Sequence, residues 1–191
     1  MDLILLIKYS IALGLISILM FLIGILTFRL ARNIVQAFSG YGVPFVRTGN
    51  NKLEKLLECI KLNKWETFMD LGCGDGKILE AISEKFPEST IIWYERSYYP
   101  YKLAIEKKEI NKLNYQVYQS DFFEASFENV NIIYTYLMPH LMKKIWIKMK
   151  SECPKGALLY SSSFPVNWVE PIQTISTNYR KGKNIFVYEV Q

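Results

Sequence analysis

The stretch Thr67-Phe68-Met69-Asp70-Leu71-Gly72-Cys73-Gly74-Asp75-Gly76-Lys77-Ile78-Leu79 constrains this chain more than any other. A short β-prone run ends in an acid, and three glycines follow at alternate positions. Ile78, Leu79 and Ile82 then recur at helical spacing. Strand, glycine turn and helix in that order form the start of a Rossmann-like βαβ unit, where backbone approaches a ligand too closely for any Cβ. A dinucleotide fingerprint, G-x-G-x-x-G, needs its third glycine at the position held by Lys77. A pyrophosphate cradle is therefore not the reading.

The spacing present, D-x-G-x-G-x-G, resembles motif I of class I S-adenosylmethionine-dependent methyltransferases, whose cofactor is a sulfonium without a pyrophosphate. The resemblance implies an α/β fold with a Rossmann-like seven-stranded sheet, mostly parallel with the last strand antiparallel. It also implies S-adenosyl-L-methionine as cofactor, with Asp70, Gly72, Gly74 and Gly76 at its cradle. Downstream patterns supply the remaining elements. Lys77–Phe86 reads as a helix stopped by Pro87, and Thr90–Glu95 as a second strand buried on both faces. Pro100–Leu113 reads as a helix with Leu103, Ile110 and Leu113 inward. Tyr115–Gln119, Asn131–Tyr136 and Gly156–Ser161 read as strands, with a lysine-bearing helix Leu141–Lys150 between the last two. Segments near Ile172–Thr177 and Asn184–Glu189 complete an edge hairpin. Ahead of the sheet, a helix from Asn50 or Asn51 to about Leu62 carries Leu53, Leu56, Leu57 and Ile60 on one face.

Two acids stand at strand ends. Glu95 lies about 20 residues beyond the turn, where a carboxylate accepts from the ribose hydroxyls of a nucleoside. Asp121, after the third strand, is placed to accept from an adenine amino group, with Phe122 packing near the base. An equally good reading of Asp121 is a turn or helix-cap aspartate, and the two roles are compatible.

Tyr9 to Phe28 is an uncharged run rich in Leu and Ile, the length of about 20 residues that a helix needs to cross a bilayer. A signal peptide would show a shorter apolar core and a small-residue cleavage site, whereas Arg29 and Arg32 follow here. The expectation is a single-pass membrane anchor. The positive-inside rule puts the C-terminal side in the cytoplasm. A prokaryotic plasma membrane is favoured over a mitochondrial inner membrane, since no Arg/Ser-rich leader is seen. Residues 1–38 are thus read as anchor and juxtamembrane helix, and 39–191 as the methyltransferase domain. Between them Ser39–Gly42 breaks the helix, and Val43–Thr48 reads as an extended segment.

Charge separates partner classes. The net charge is +5. Four of the basic residues, Lys8, Arg29, Arg32 and Arg47, lie against one acid, Asp2, in the first 48 residues. The remainder is close to neutral, which argues against a nucleic-acid substrate. Cys59, Cys73 and Cys153 share no metal or redox spacing, so they read as apolar fillers in a reducing compartment, and no metal is expected.

The loop after the fourth strand narrows the acceptor. Tyr136-Leu137-Met138-Pro139 lacks the Asn/Asp-Pro-Pro-aromatic tetrad that grips planar amides and amines in the adenine and glutamine enzymes of this class. No residues remain for a lid domain, which favours a macromolecular acceptor. Gly42-Val43-Pro44-Phe45-Val46, Asp70–Ile78, Tyr94-Glu95, Ser120-Asp121, Met138-Pro139 and Phe164-Pro165 with Trp168 recur in this order in one group. They resemble the membrane-anchored protein-lysine methyltransferases that act on the c-ring protein of ATP synthase and on the adenine nucleotide translocase, and their archaeal relatives. The likeness runs from about 41 to 168. The family usually has proline where Arg47 stands, which leaves the role of Arg47 open. The resemblance implies a lysine-presenting protein partner, one in or at the membrane. Tyr136, Met138, Pro139 and Trp168, with Phe164 and Pro165, are the candidates for an apolar channel that strips the proton from the acceptor amine and holds its methylated forms by cation–π contact. Plain core packing is the competing reading for each aromatic. His140, at a helix start, reads as solvent-facing more readily than as a base. A lipid or quinone methyltransferase and a non-catalytic cofactor-binding scaffold are the alternatives.

Overall fold

A computed structural model of the chain describes residues 3–38, 48–72, 74–177 and 184–191. The Ser39–Gly42 break, the extended Val43–Val46 segment, Arg47 and Cys73 lie outside the described residues. The chain divides into two units, Met1–Pro44 and Phe45–Gln191.

The first unit contains helix α1, Leu3–Phe38. Its stretch Ile7–Ala31, which contains the expected span, is long and apolar enough to cross a membrane and has no buried residue. The Ser17 and Thr27 hydroxyls donate to the carbonyls of Leu13 and Ile23 at 2.9 and 3.0 Å. Back-bonding of this kind satisfies a hydroxyl within an apolar helix.

The second unit opens with α2, Asn50–Cys59, and continues as β1 Thr67–Leu71, α3 Lys77–Lys85, β2 Thr90–Tyr94, α4 Tyr98–Asn111 and β3 Gln116–Tyr118. Then come β4 Ile132–Thr135, α5 Pro139–Glu152, β5 Leu158–Ser162, β6 Gln173–Ile175 and β7 Ile185–Glu189. The seven strands are ordered β3-β2-β1-β4-β5-β7-β6. The first five pair in parallel. β7 runs antiparallel to both its neighbours. This is the expected class, with its reversed strand inserted one place in from the edge.

One face of the sheet is built on the pattern read from sequence. Leu56 of α2 and Ile78, Leu79 and Ile82 of α3 are buried in one cluster with Phe68, Ile91, Trp93, Ile132 and Tyr160. Burying each of α3's three aliphatics contributes about 1.5–3 kcal/mol, which is why the helix needs no strong propensity of its own. The other face is covered by α5 through Leu141, Met142, Ile145, Trp146 and Met149, with the Trp146 ring 5.7 Å from that of Tyr188 in β7.

Coverage of that second face explains two corrections. Between β3 and β4 the chain makes turns and no helix, so β2 is not buried on both faces. Ile91 and Trp93 are buried, while Ile92 and Tyr94 are half-exposed, and Tyr94 stacks on Tyr118 at 5.2 Å. On α4, Ile110 is 78 % exposed rather than inward. The helix docks through Ala104, whose carbonyl accepts from the buried Tyr115 hydroxyl at 2.9 Å. α2 ends at Cys59, before the expected Leu62. Ile60 and Leu62 are buried beyond it in extended chain.

Candidate active site

The order of strands reverses between β1 and β4, so the connections leaving their carboxyl ends diverge and open a crevice there. Asp70 lies at the end of β1, fully buried. The glycine turn follows, with Gly72, Gly74 and Gly76 at φ +75°, +65° and +75°. That left-handed backbone is the reason glycine stands at each. The close approach expected of a ligand is, at two of them, an approach of the chain to itself. A Cβ on Gly72 would meet Leu137 Cδ2 at 3.0 Å, and one on Gly76 would meet Ala104 Cβ at 3.4 Å. The turn is thus wedged between the loop after β4 and helix α4, and Gly72 N–H donates to Tyr94 O at 3.2 Å.

Opposite the turn, Glu95 follows β2 and is half-buried. Its Oε1 accepts from Ser97 N–H at 2.7 Å. Burial pushes its carboxyl above the usual glutamate range, opposed by the N–H groups of Ser97, Gly74 and Arg96. Turn and carboxylate are therefore linked through Gly74. Asp121 takes the turn role: its Oδ1 accepts from Phe123 N–H at 2.9 Å, and its carbonyl accepts from Glu124 N–H. Phe122 is 8 % exposed and lies 4.5 Å from the Phe123 ring.

The acceptor candidates gather beyond β4 and β5, with one exception. Tyr136 is half-buried, and its ring stacks on Phe164 at 6.3 Å. Met138 is the N-cap of α5 and Pro139 its first residue, so that loop is fixed where the helix starts. His140 is exposed. Trp168 does not join the pair: it is 53 % exposed, with the Lys143 ammonium of α5 5.7 Å from its ring.

The site also contains a residue that sequence reasoning missed. Lys52, on the first turn of α2, is buried at 7 % exposure. Its Nζ donates to Ser162 Oγ at 2.9 Å and Ser163 Oγ at 2.8 Å, and stands 4.5 Å from the centre of the Tyr136 ring. The signal was available, since Lys52 precedes Leu56 by one helical turn and so shares its buried face. Tyr134, beneath Tyr136 on the same face, is fully buried beside Ser162 and Thr48. Burial pushes its phenol well above the tyrosine range, and it stays a neutral hydroxyl.

A crevice at the switch point, a left-handed glycine turn and a carboxylate across from it define a class I S-adenosylmethionine-dependent methyltransferase. The donor set fits a cofactor that offers hydroxyl donors to Glu95 and no phosphate to the turn. Residues 70–173 match the family model for the ANTKMT methyltransferase domain, and the chain belongs to that family. It is 23 % identical over 135 residues to a protein-lysine N-methyltransferase of Saccharolobus islandicus, covering 70 % of this chain and 84 % of that one. It is 23 % identical over 139 residues to a Mus musculus lysine N-methyltransferase named for the c-ring protein of ATP synthase, covering 69 % of this chain and 53 % of the mouse protein. Among solved structures, an RNA methyltransferase from Salinibacter ruber in complex with S-adenosyl-L-homocysteine superposes with a TM-score of 0.69 at 20 % identity, over 76 % of this chain and 94 % of that one. A dimethyladenosine transferase from Plasmodium falciparum superposes at 0.58 with 12 % identity, over 76 % and 63 %. These two likenesses bear on the fold alone.

Proposed function

We propose that this methyltransferase modifies lysine side chains of a protein in or at a membrane, with α1 as its single-pass anchor and the catalytic unit on the cytoplasmic side. The observation that carries the reading is the stacked Tyr136–Phe164 pair at the carboxyl edge of β4 and β5. It is an apolar, π-faced wall without the polar tetrad that a planar amide or purine amine would require. The names of the two curated relatives, both lysine methyltransferases, support the same acceptor. Arg29 and Arg32 just beyond the apolar run support the orientation.

When bound, S-adenosylmethionine supplies a methyl group already activated by its sulfonium. The chain's residues supply position and dryness. Glu95 accepts from the ribose hydroxyls, Asp121 offers its carboxylate to the adenine amino group, and Phe122 packs beside the base. Asp70 and Gly72, Gly74 and Gly76 shape the turn that faces them. On the acceptor side, Tyr136, Phe164 and Met138 exclude water from the amine. An ordinary lysine is almost wholly protonated at neutral pH, and an apolar wall disfavours that charge. Orienting the amine for in-line attack accounts for much of the remaining barrier.

The test incubates the purified full chain with membranes and radiolabelled S-adenosylmethionine. Label in protein, recovered as methyllysine after hydrolysis, is the expected result. Label in the organic phase would replace this reading with a lipid or quinone acceptor.

A further inference from the structure

We propose that Lys52 sets acceptor specificity: its buried ammonium, fixed against the Tyr136 ring, keeps an amine arriving at that edge in its neutral, nucleophilic form by like-charge repulsion. The inference rests on the lysine-acceptor reading given above.

Lysine is seldom this deeply buried, because removing its charge from water is costly. Here the cost is met by the two serine hydroxyls and the face of Tyr136. These three groups solvate the ammonium, and none of them carries a charge. The position is fixed from both ends. Ser163 holds a φ of +71°, a strained value for a residue with a Cβ, and its N–H is tied to Asn184 O at 2.8 Å. At the start of α2, Lys77 Nζ donates to Thr48 O and to the Asn50 side chain, which anchors the first turn that carries Lys52. Lys52 is thus a built-in cation rather than a surface side chain that folded inward.

Its level in the sheet decides what it acts on. Asp70 is in register with Tyr134, two residues deeper than Tyr136, which is about 6.6 Å along the strand. Tyr134 is held neutral by burial. Of the titratable groups facing Lys52, Tyr134 and Tyr136 come from β4 and its end, Asp70 from β1, and Lys77 from α3. On its own helix Lys55 is engaged with Glu58 at the surface. At the rim, where Tyr136 and Phe164 meet, Lys52 is therefore the nearest fixed charge. A positive charge about 6–10 Å from an incoming amine lowers that amine's pKa by about one to two units at the effective permittivity of a partly buried site. The proton leaves to water before the amine attacks, so no general base is needed. The same repulsion would not act on a hydroxyl acceptor.

The test uses the full chain in detergent with saturating S-adenosyl-L-homocysteine, so that no turnover occurs. The probe is acetyl-Gly-Lys-Gly-amide labelled with ¹³C at the lysine Cε, whose shift reports the charge of the amine. In the wild-type complex the bound amine should titrate about one to two units below the free peptide. Lys52→Met should return it to within about half a unit of the free value, and Lys52→Arg, which keeps the charge, should hold it low. The pH profile of kcat/KM should follow, its acidic limb moving to higher pH in Lys52→Met alone. Thermal melting and S-adenosyl-L-homocysteine affinity report folding. If Lys52→Met does not fold, Lys52→Gln replaces it, and the wild-type titration still decides. An amine that titrates as in the free peptide on the wild-type protein, or equally low in the neutral variant, overturns the proposal. Methyllysine formed by an enzyme whose bound amine is unshifted would refute the role of Lys52 alone. Absence of methyllysine from all protein would refute the lysine reading beneath it.

Discussion

Glu95 shows how a single carboxylate can make cofactor binding depend on pH. Its folded pKa is raised by burial, and a ligand that donates hydroxyl hydrogens to it selects the ionised form. Affinity for S-adenosylmethionine should therefore be full above the raised pKa and fall as pH drops through it, at a pH above the ordinary glutamate range. Glu95→Gln should lose that pH dependence, and Glu95→Ala should bind about 2–3 kcal/mol more weakly, both read by calorimetry. Gly72 makes the opposite point, that a motif residue can matter to the fold before it matters to a ligand. Gly72→Ala forces a Cβ into left-handed backbone and to 3.0 Å from Leu137. It should cost about 1–3 kcal/mol in thermal unfolding without ligand. Leu137→Ala should relieve the clash but not the backbone strain. Equal stability of Gly72→Ala and wild type would show that the turn relaxes freely.

At the scale of elements, α2 is tied down by lysines. Lys52 reaches β5, Lys77 reaches back from α3 to Thr48 and Asn50, and Lys85 donates to Leu57 O. Lys77→Met should loosen the first turn of α2 by about 1–2 kcal/mol. Faster amide exchange confined to residues 50–56 is the expected signature, and unchanged protection there would show that apolar packing alone holds the helix. These ties also mark what sequence could and could not reveal. The glycine turn, the order of elements and the buried stripe of α3 were legible because each has a period or a backbone requirement of its own. Ile110 and β2 were misjudged because their burial depends on a helix between β3 and β4 that the chain lacks. Lys52 was invisible to a count of apolar residues, since a buried cation on a helix face shows only against the partners it finds across the sheet. Trp168 carried the right motif, but it faces solvent and Lys143.

At the scale of the whole molecule, selectivity comes from location if the anchor reading holds. An anchor raises the effective concentration of the enzyme at membrane targets without any new contact. Deleting residues 1–38 should leave S-adenosylmethionine affinity intact and methylation of free peptides undiminished, while modification of the membrane target falls sharply. A foreign transmembrane helix should restore it, and undiminished modification by the truncated enzyme would remove the targeting role. Within the catalytic unit, the contact between the glycine turn and Leu137 has a different reach. It makes one leucine the common wall of two compartments, so neither can be resized in isolation. A Leu137→Ala enzyme engineered to admit a bulkier acceptor should first betray itself in the release rate of S-adenosyl-L-homocysteine, measured with no acceptor present. Linkage then requires that occupancy of either compartment alter the affinity of the other by one shared factor. The order in which the two substrates load would be written into the van der Waals radius of a single methyl group.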